Sequence, residues 1–351
     1  MRRMAGIWFF AAGLAAGCGL IVYAMVSARP PRPPLADERP PPGWTASGAP
    51  GCAATAKLIP GCGAWWGVAP DLAGGRRPAA AVAAAEKRMG RRADILHVYH
   101  RGGDDFPTPA ERRLARHRLL LIDWTPSPGD TWAEIAAGAA DRRVDRLAER
   151  IRRRLPGRFF LALHPGPERD VRERPGSGMT AADYAAMFRH VVLRLRRHGV
   201  RNAVTVMTFA GPAGRPDGPW SGRLYPGDDV VDWIGVERYA GGRAGDFAAL
   251  VDHPRRSGFY RWTQRHYPGK PIMVAEWGVA ERPDDPGAKV TFYETVRRQI
   301  RAYPQIKALV YAEAAAGPRG DTRFDTTEAA GRAFAELARA PYFSSTPVPG
   351  R

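Results

Sequence analysis

Short apolar runs alternate with helical stretches along most of this 351-residue chain, and this alternation limits the possible folds more than any other feature. Each run is typical of a strand that is covered on both faces of a parallel sheet. We predict strands at Ala64–Val68, Ile95–Tyr99, Leu119–Asp123, Phe159–Leu163, Ala203–Phe209, Trp233–Val236, Ile272–Ala275 and Ala308–Tyr311. Between them apolar residues recur at helical spacing, and one helix opens with the capping box Thr180-x-x-Asp183. These eight units predict an α/β fold, the (β/α)8 or TIM barrel, as one domain.

An open doubly wound sheet is the alternative fold for such a pattern. In its dinucleotide-binding form, that fold carries a glycine-rich phosphate-binding turn after the first strand. Here the first predicted strand is followed by Ala69-Pro70-Asp71, without such a turn. The barrel is therefore favoured, and its catalytic groups are expected just past the C-terminal ends of the strands.

An apolar segment precedes the predicted barrel. Arg2 and Arg3 are followed by the uncharged run Met4–Val26, which is longer than the roughly 7–15 residues of a signal-peptide core and close to the ~20 that span a bilayer. We predict a signal anchor within residues 1–28, which makes the cytoplasmic membrane a partner of the chain. A signal peptide cleaved after Ala28 is the alternative, and it would give a secreted protein.

The remaining boundaries follow from composition. Residues 29–50 are rich in proline, which favours an extended polyproline II linker in water. The barrel domain is predicted over residues 51–343, and a short tail over 344–351. This order places the barrel outside the cytoplasmic membrane, either anchored to it or secreted.

Two cysteines, Cys52 and Cys62, lie at the start of the predicted domain. Outside the cytosol, such a pair is most simply a disulfide that closes a short loop. A zinc site is the alternative, but no histidine lies near the pair and the third cysteine, Cys18, is inside the apolar run. We therefore predict a disulfide.

The chain is strongly basic, with 53 Lys and Arg against 35 Asp and Glu and a net charge of +18. A basic chain raises the question of a nucleic-acid partner. Most of these cations are arginines spread through helical stretches, without a run that interleaves them with aromatic residues. We interpret them as solvated helix faces, and expect a monomer that binds no nucleic acid.

Carboxylates follow several predicted strands and define the candidate site. Glu276 comes at the end of the seventh strand, Glu168 follows the fourth, and Glu237 and Tyr239 follow the sixth. The ends of the fourth and seventh strands lie across the barrel mouth from one another. Two carboxylates there suit glycoside hydrolysis, which needs a proton donor and a nucleophile.

Aromatic and histidine side chains also occur near the strand ends. Aromatic residues that would suit stacking on sugars are Trp65, Trp66, Tyr99, Trp124, Tyr239 and Trp277. Core packing is the alternative for the tryptophans. His164 is a further candidate for substrate binding, and His97 and His100 are interpreted as residues of the barrel rim. Because no second carboxylate lies at ligand spacing from them, we predict no metal and no other cofactor.

Six segments carry a resemblance to a known family. They are GCGAWWGVAP, LLIDWTP, FFLALHPGPERDV, LYPGDDVVDWIGVERY, PIMVAEWGV and IKALVYAEA, in this order. Together they resemble secreted actinobacterial proteins related to glycoside hydrolase family 26, the β-mannanase family of (β/α)8 retaining enzymes. The resemblance implies that Glu276 is the nucleophile and that Tyr239 holds its carboxylate by a hydrogen bond.

The chain departs from the family pattern after the fourth strand. In the family this strand ends in a His-Glu pair, whose glutamate is the acid/base. Aligning the family pattern on this segment puts Pro165 and Gly166 at these two positions. Glu168, two residues on, is the expected substitute, whereas Glu237 would approach from another side.

Two functions remain open from the sequence. The first is a retaining glycoside hydrolase that acts on a β-linked, mannan-like polysaccharide. The alternative is a catalytically impaired barrel that binds or scaffolds cell-surface polysaccharide. A carboxyl of Glu168 about 5–5.5 Å from that of Glu276 would favour the first function, and a separation well beyond ~10 Å would favour the second.

Overall fold

The computed structural model describes residues 52–72, 75–210, 216, 218–241, 245–252 and 258–349. The predicted membrane segment Met4–Val26 and the proline-rich linker lie outside the described residues. Among the residues that are described, no helix has the length and apolar character needed to cross a membrane.

Eight parallel strands close into a barrel in sequential order, which confirms the predicted (β/α)8 fold. The strands are β1 (Trp65–Ala69), β2 (Ile95–Arg101), β3 (Leu119–Thr125), β4 (Phe159–Leu163), β5 (Ala203–Phe209), β6 (Trp233–Ala240), β7 (Ile272–Val279) and β8 (Ile306–Ala312). The barrel closes between β1 and β8, where Trp65 lies opposite Ala308. Four strands, β2, β3, β6 and β7, run two to four residues past their predicted ends. Each extension contains polar residues at the barrel mouth, so hydrophobicity alone does not mark it.

Helices on the outside of the barrel cover the strands. In the described residues they are α1 (Pro78–Met89), α2 (Pro109–Leu114), α3 (Trp132–Ala136), α4 (Asp141–Arg154), α5 (Ala181–Arg197), α6 (Phe247–Val251), α7 (Phe259–His266), α8 (Ala288–Gln299) and α9 (Glu328–Ala338). Short 3₁₀ turns lie at Pro167–Arg169, Ser221–Leu224, Ile300–Ala302 and Pro341–Phe343. The predicted capping box is present at α5, where the hydroxyl of Thr180 accepts from the Asp183 amide and the Asp183 carboxylate accepts from the Thr180 amide.

Alternate residues of each strand face the barrel interior and the helices. In β4, Phe160 and Ala162 belong to the interior cluster, whereas Phe159, Leu161 and Leu163 pack against the helix layer. This alternation follows from the two-residue period of a strand. Because both faces are buried, the strands are apolar almost throughout their length, as the sequence pattern predicted.

The segment before β1 closes the end of the barrel opposite the mouth. The indole nitrogen of Trp65 donates to the carbonyl of Leu58 at 2.7 Å, and that of Trp233 donates to the carbonyl of Lys57 at 2.7 Å. Cys52 and Cys62 are joined as predicted in a disulfide with a Cα–Cα distance of 4.8 Å. The disulfide therefore constrains the segment that leads into β1, at the end of the barrel opposite the mouth.

Candidate active site

A polar cleft of about 570 Å³ opens at the C-terminal ends of the strands. Side chains from β2, β3, β6 and β7 and from the loop after β4 line it. Its acidic residues are Asp123, Asp170, Glu237 and Glu276. The cleft therefore gathers carboxylates at the face where barrel enzymes hold their catalytic groups.

An irregularity in β7 directs Glu276 into this cleft. Val236 of β6 pairs with Val274 of β7, but the next residue, Glu237, pairs with Glu276, so Ala275 is an extra residue. Ala275 already faces the barrel interior, and a regular strand would turn Glu276 outward. A bulge of this kind re-aims a side chain, and here it brings Glu276 to the mouth beside Glu237.

Two phenols hold the carboxylate of Glu276. The hydroxyl of Tyr239 donates to Oε2 at 2.6 Å, and the hydroxyl of Tyr99 donates to Oε1. Burial and the charge of Glu276 raise the pKa of both phenols, so they remain protonated donors. The carboxylate is thus fixed in orientation, as a positioned nucleophile requires.

A buried histidine lies behind Glu276. His97 Nε2 is 3.1 Å from Asp123 Oδ2, and His97 Nδ1 is 3.7 Å from Glu276 Oε1. Burial lowers the pKa of His97, but the charge of Asp123, its hydrogen bond and the charge of Glu276 outweigh this, so the pKa is raised. The imidazole, which lies between two carboxyl groups, therefore binds its proton more tightly than an ordinary histidine does.

The same three residues are a group in the described structure whose donor atoms could hold a metal ion, since their ligand atoms lie within 4.8 Å of one another. However, Asp123 faces Nε2 of His97 and Glu276 faces Nδ1. One imidazole nitrogen cannot face both carboxylates at once. The arrangement is described better as an ion-paired array than as a converging ligand set.

Glu237 is a second buried carboxyl beside Glu276. Its Oε2 accepts from Nη2 of Arg169 at 2.9 Å, and its side chain is 15% exposed. Burial and the charges of Glu276 and Asp123 raise the pKa of Glu237 to about 8, although Arg169 and His97 oppose the shift. A carboxyl that keeps its proton near neutral pH therefore lies next to an oriented carboxylate.

The loop after β4 has an unusual backbone. His164 has a φ of 46° and Gly166 a φ of 68°, both in the left-handed region. His164 lines the cleft, as does Asp170, and His164 Nε2 lies 2.8 Å from Asp170 Oδ2. A Cβ at Gly166 would lie 2.6 Å from Nη2 of Arg169 and 2.8 Å from Cβ of Ala210. The guanidinium of Arg169 therefore fills the space beside Gly166.

Glu168 is not among the residues that line the cleft with Glu276. Its Oε1 accepts from the backbone amide of Ala210 at 2.6 Å, at the end of β5. Successive residues of a 3₁₀ turn point about 120° apart. The turn at Pro167–Arg169 therefore places Arg169 over the cleft and directs Glu168 toward the end of β5. This corrects the expectation that Glu168 reaches the missing acid position.

The tryptophan predictions also need correction. Trp65, Trp66, Trp124 and Trp277 are at most 1% exposed, so none offers a face to a sugar in this structure. Trp65 faces the barrel interior, and the other three face the helix layer. Of the predicted aromatic residues, Tyr99 does line the cleft, with its ring exposed and its hydroxyl deep beside Glu276.

Sequence reasoning missed Asp123 and Arg169 as site residues. Asp123 has the same parity as the interior residues Leu119 and Leu121, so strand alternation could have assigned it to the mouth. Arg169 gave no such signal, because its direction depends on the turn after Gly166. The structure also brings Glu237 into the cleft beside Glu276, whereas the sequence favoured Glu168 over Glu237 as the second carboxyl there.

Comparison with models of known protein families gives no match. A curated relative, endoglucanase H of Acetivibrio thermocellus, is 25% identical over 212 residues, which are 57% of this chain and 23% of that protein. The chain thus spans about a quarter of the length of this relative.

Solved structures give a stronger likeness. A ruminal family 26 endo-β-1,4-mannanase superposes with a TM-score of 0.56 at 14% identity, over 80% of this chain and 64% of that one. A family 26 β-mannanase from Bacteroides ovatus gives a TM-score of 0.55 at 14% identity, over 82% of this chain and 91% of that one. The chain has the fold of the family 26 mannanases. A Bacillus subtilis mannanase agrees, with a TM-score of 0.54 over 81% of this chain and 86% of that one.

Proposed function

We propose that this protein is a retaining glycoside hydrolase that acts on a β-linked, mannan-like polysaccharide. The observation that carries the proposal is Glu276, which two phenols orient in the open cleft of a family 26 mannanase fold. Several solved structures that share this fold are named as mannanases, and the curated relative as an endoglucanase. The mannanase names include the β linkage, which is the source of the linkage proposed here.

In this mechanism, Glu276 attacks the anomeric carbon and forms a covalent glycosyl-enzyme, which water then hydrolyses. Tyr239 and Tyr99 hold the attacking carboxylate by hydrogen bonds to its two oxygens. The ion pair of His97 with Asp123 supports Glu276 from behind. The exposed ring of Tyr99 is available to contact the sugar, and His164, which also lines the cleft, is paired with Asp170.

We further propose that the enzyme works outside the cytoplasmic membrane. The segment Met4–Val26 would anchor it there, or cleavage after Ala28 would release it. The disulfide between Cys52 and Cys62 supports this location, because disulfides persist in oxidising compartments. Protease added to intact cells should release an anchored domain, whereas a protected domain with both thiols free to react would contradict the location.

One observation favours a second function, a barrel that binds polysaccharide without cleaving it. The position that aligns with the acid/base of the family is Gly166, and the guanidinium of Arg169 lies beside it. A barrel with a cleft and a nucleophile but no proton donor would bind the polymer and turn it over poorly.

The substitution Glu276→Gln distinguishes the two functions. It keeps the shape of the side chain but removes the nucleophile, so hydrolysis of glucomannan should fall by at least about 10³-fold while binding of the polymer remains. The matched control is Glu313→Gln, because Glu313 is a buried carboxyl that does not line the cleft and pairs with Arg88. Wild-type protein that binds glucomannan but cleaves no glycoside would favour the binding function instead. A Glu276→Gln variant with normal turnover would contradict the assignment of the nucleophile.

A further inference from the structure

We propose that Glu237 is the proton donor to the leaving group, in place of the glutamate that is absent at position 166. This inference rests on the proposed function, since a leaving group exists only if the protein cleaves glycosides. The argument uses the position of Glu237 on β6, the pairing with Arg169, and the charges that surround both residues.

The first step is the position of Glu237 within the barrel. Glu237 faces the cleft from β6, and the bulge in β7 sets Glu276 directly beside it in the strand register. Because both side chains enter the same cleft, a sugar bound against Glu276 also meets Glu237. Glu168, the other candidate, instead accepts a backbone hydrogen bond from Ala210.

The second step is the direction in which Glu237 is held. Nη2 of Arg169 lies 2.6 Å from the position that a Cβ at Gly166 would take and 2.9 Å from Oε2 of Glu237. The distance from Oε2 of Glu237 to that Cβ position is therefore at most the sum of these two distances. Arg169 thus draws the carboxyl of Glu237 away from β7 and toward the side of the cleft where the family acid would enter.

The third step is the charge around Glu237. Burial raises its pKa to about 8, together with the charges of Glu276 on β7 and Asp123 on β3, against Arg169 after β4 and His97 on β2. The pKa of Glu237 thus lies where a carboxyl can donate and regain a proton near neutral pH. When Glu276 becomes an ester in the glycosyl-enzyme, its charge disappears and the pKa of Glu237 must fall, which suits the change from acid to base.

The two chemical steps balance as follows. In the first, Glu276 forms a bond to the anomeric carbon, the bond to the glycosidic oxygen breaks, and the proton of Glu237 goes to that oxygen. In the second, the carboxylate of Glu237 takes a proton from water, and the water oxygen bonds to the anomeric carbon. The ester bond then breaks and returns Glu276 as a carboxylate, with Glu237 protonated again.

The test compares Glu237→Gln with the matched variant Glu168→Gln on two substrates. Glucomannan needs a protonated leaving group, whereas a 2,4-dinitrophenyl β-mannoside does not. We expect Glu237→Gln to lose about 10²–10⁴-fold in kcat/KM on glucomannan and to keep the first, glycosylation step on the aryl glycoside. Retained cleavage of the aryl glycoside also shows that the variant is folded. Azide, which needs no general base, should speed its turnover of this substrate.

The pH profile provides a second readout. The alkaline limb of kcat/KM on glucomannan should report the deprotonation of Glu237 in wild type, near pH 8, and should be lost in Glu237→Gln. A role of Glu237 that is only structural would lower activity on both substrates and leave the limb in place.

The outcomes separate the two proposals. Wild type that cleaves glucomannan, with Glu237→Gln equally active, would overturn the role of Glu237 and leave the glycosidase proposal standing. Equal losses on both substrates would likewise overturn the role of Glu237, and the expected pattern in Glu168→Gln would make Glu168 the donor. Wild type inactive on both substrates would overturn the proposed function itself, and the role of Glu237 with it.

Discussion

The two sides of the barrel mouth differ in how their side chains are held. On the side of β6 and β7, Glu276 and Tyr239 lie within strands, and their positions follow from strand register and one bulge. On the side of β4, the chain leaves the strand at once through two residues with left-handed backbone, His164 and Gly166. The side that holds the proposed nucleophile matches the family pattern, and the side after β4 does not. The comparison teaches that strand register fixes the position of a carboxylate, whereas after β4 the position of each side chain depends on the loop backbone.

The largest expected effect is on stability, and it concerns the packing of Trp277 next to the proposed nucleophile. Trp277 follows Glu276 and is fully buried against Tyr311, with ring centroids 4.8 Å apart. Trp277→Ala should therefore lower the free energy of unfolding by about 3–5 kcal/mol, as large cavities in cores do. Denaturant unfolding measures this. The control is Leu193→Ala, which truncates an exposed apolar side chain and should leave stability nearly unchanged. Full stability of Trp277→Ala would show that the indole is not part of the core.

The next effect concerns the orientation of the proposed nucleophile, Glu276. Tyr239→Phe removes the donor to Oε2 of Glu276, a hydrogen bond to a charged group worth about 1.5–3 kcal/mol. We expect kcat on glucomannan to fall by roughly 10- to 100-fold with little change in KM, because the bond positions the attacking group. Tyr225→Phe is the matched control, since the Tyr225 hydroxyl donates to Asp228 at 2.6 Å outside the cleft. A rise in KM at constant kcat would instead assign Tyr239 to substrate binding.

The smallest expected effect is a shift in pH dependence, and it concerns Arg169 in the loop after β4. The charge of Arg169 lowers the pKa of Glu237, so Arg169→Gln should raise that pKa above about 8. Since the proposed acid Glu237 would act in its protonated form, the alkaline limb of kcat/KM should move to higher pH. Arg189→Gln, which breaks a surface pair with Asp229, should leave the limb in place. A downward shift in Arg169→Gln would contradict the electrostatic account of this side.

Most of the fold could be predicted from the sequence, because each strand is an apolar run that depends only on local hydrophobicity. Glu276 could be predicted for the same reason, since it ends such a run. Strand parity also assigns Trp66 and Trp124 to the side that faces the helices. Parity alone fails in β7, where the bulge at Ala275 reverses the faces that follow.

The side of β4 could not be predicted in this way. The direction of Glu168 depends on the φ of Gly166 and on the amide of Ala210, which follows β5. The proximity of Glu237 to Arg169 likewise joins residues that are distant in sequence. Such contacts arise from tertiary structure, and neither composition nor spacing records them.

The most direct test of the account is to trap the glycosyl-enzyme. Wild-type protein is incubated with a 2-deoxy-2-fluoro-β-mannosyl fluoride, whose good leaving group allows attack and whose fluorine slows the hydrolysis of the ester. Peptide mass spectrometry should then find one added 2-fluoromannosyl group on the peptide that contains Glu276, at Glu276 itself, and no label in Glu276→Gln. A label on another carboxylate, or no label on protein that cleaves glucomannan, would contradict the assignment of Glu276 as the nucleophile.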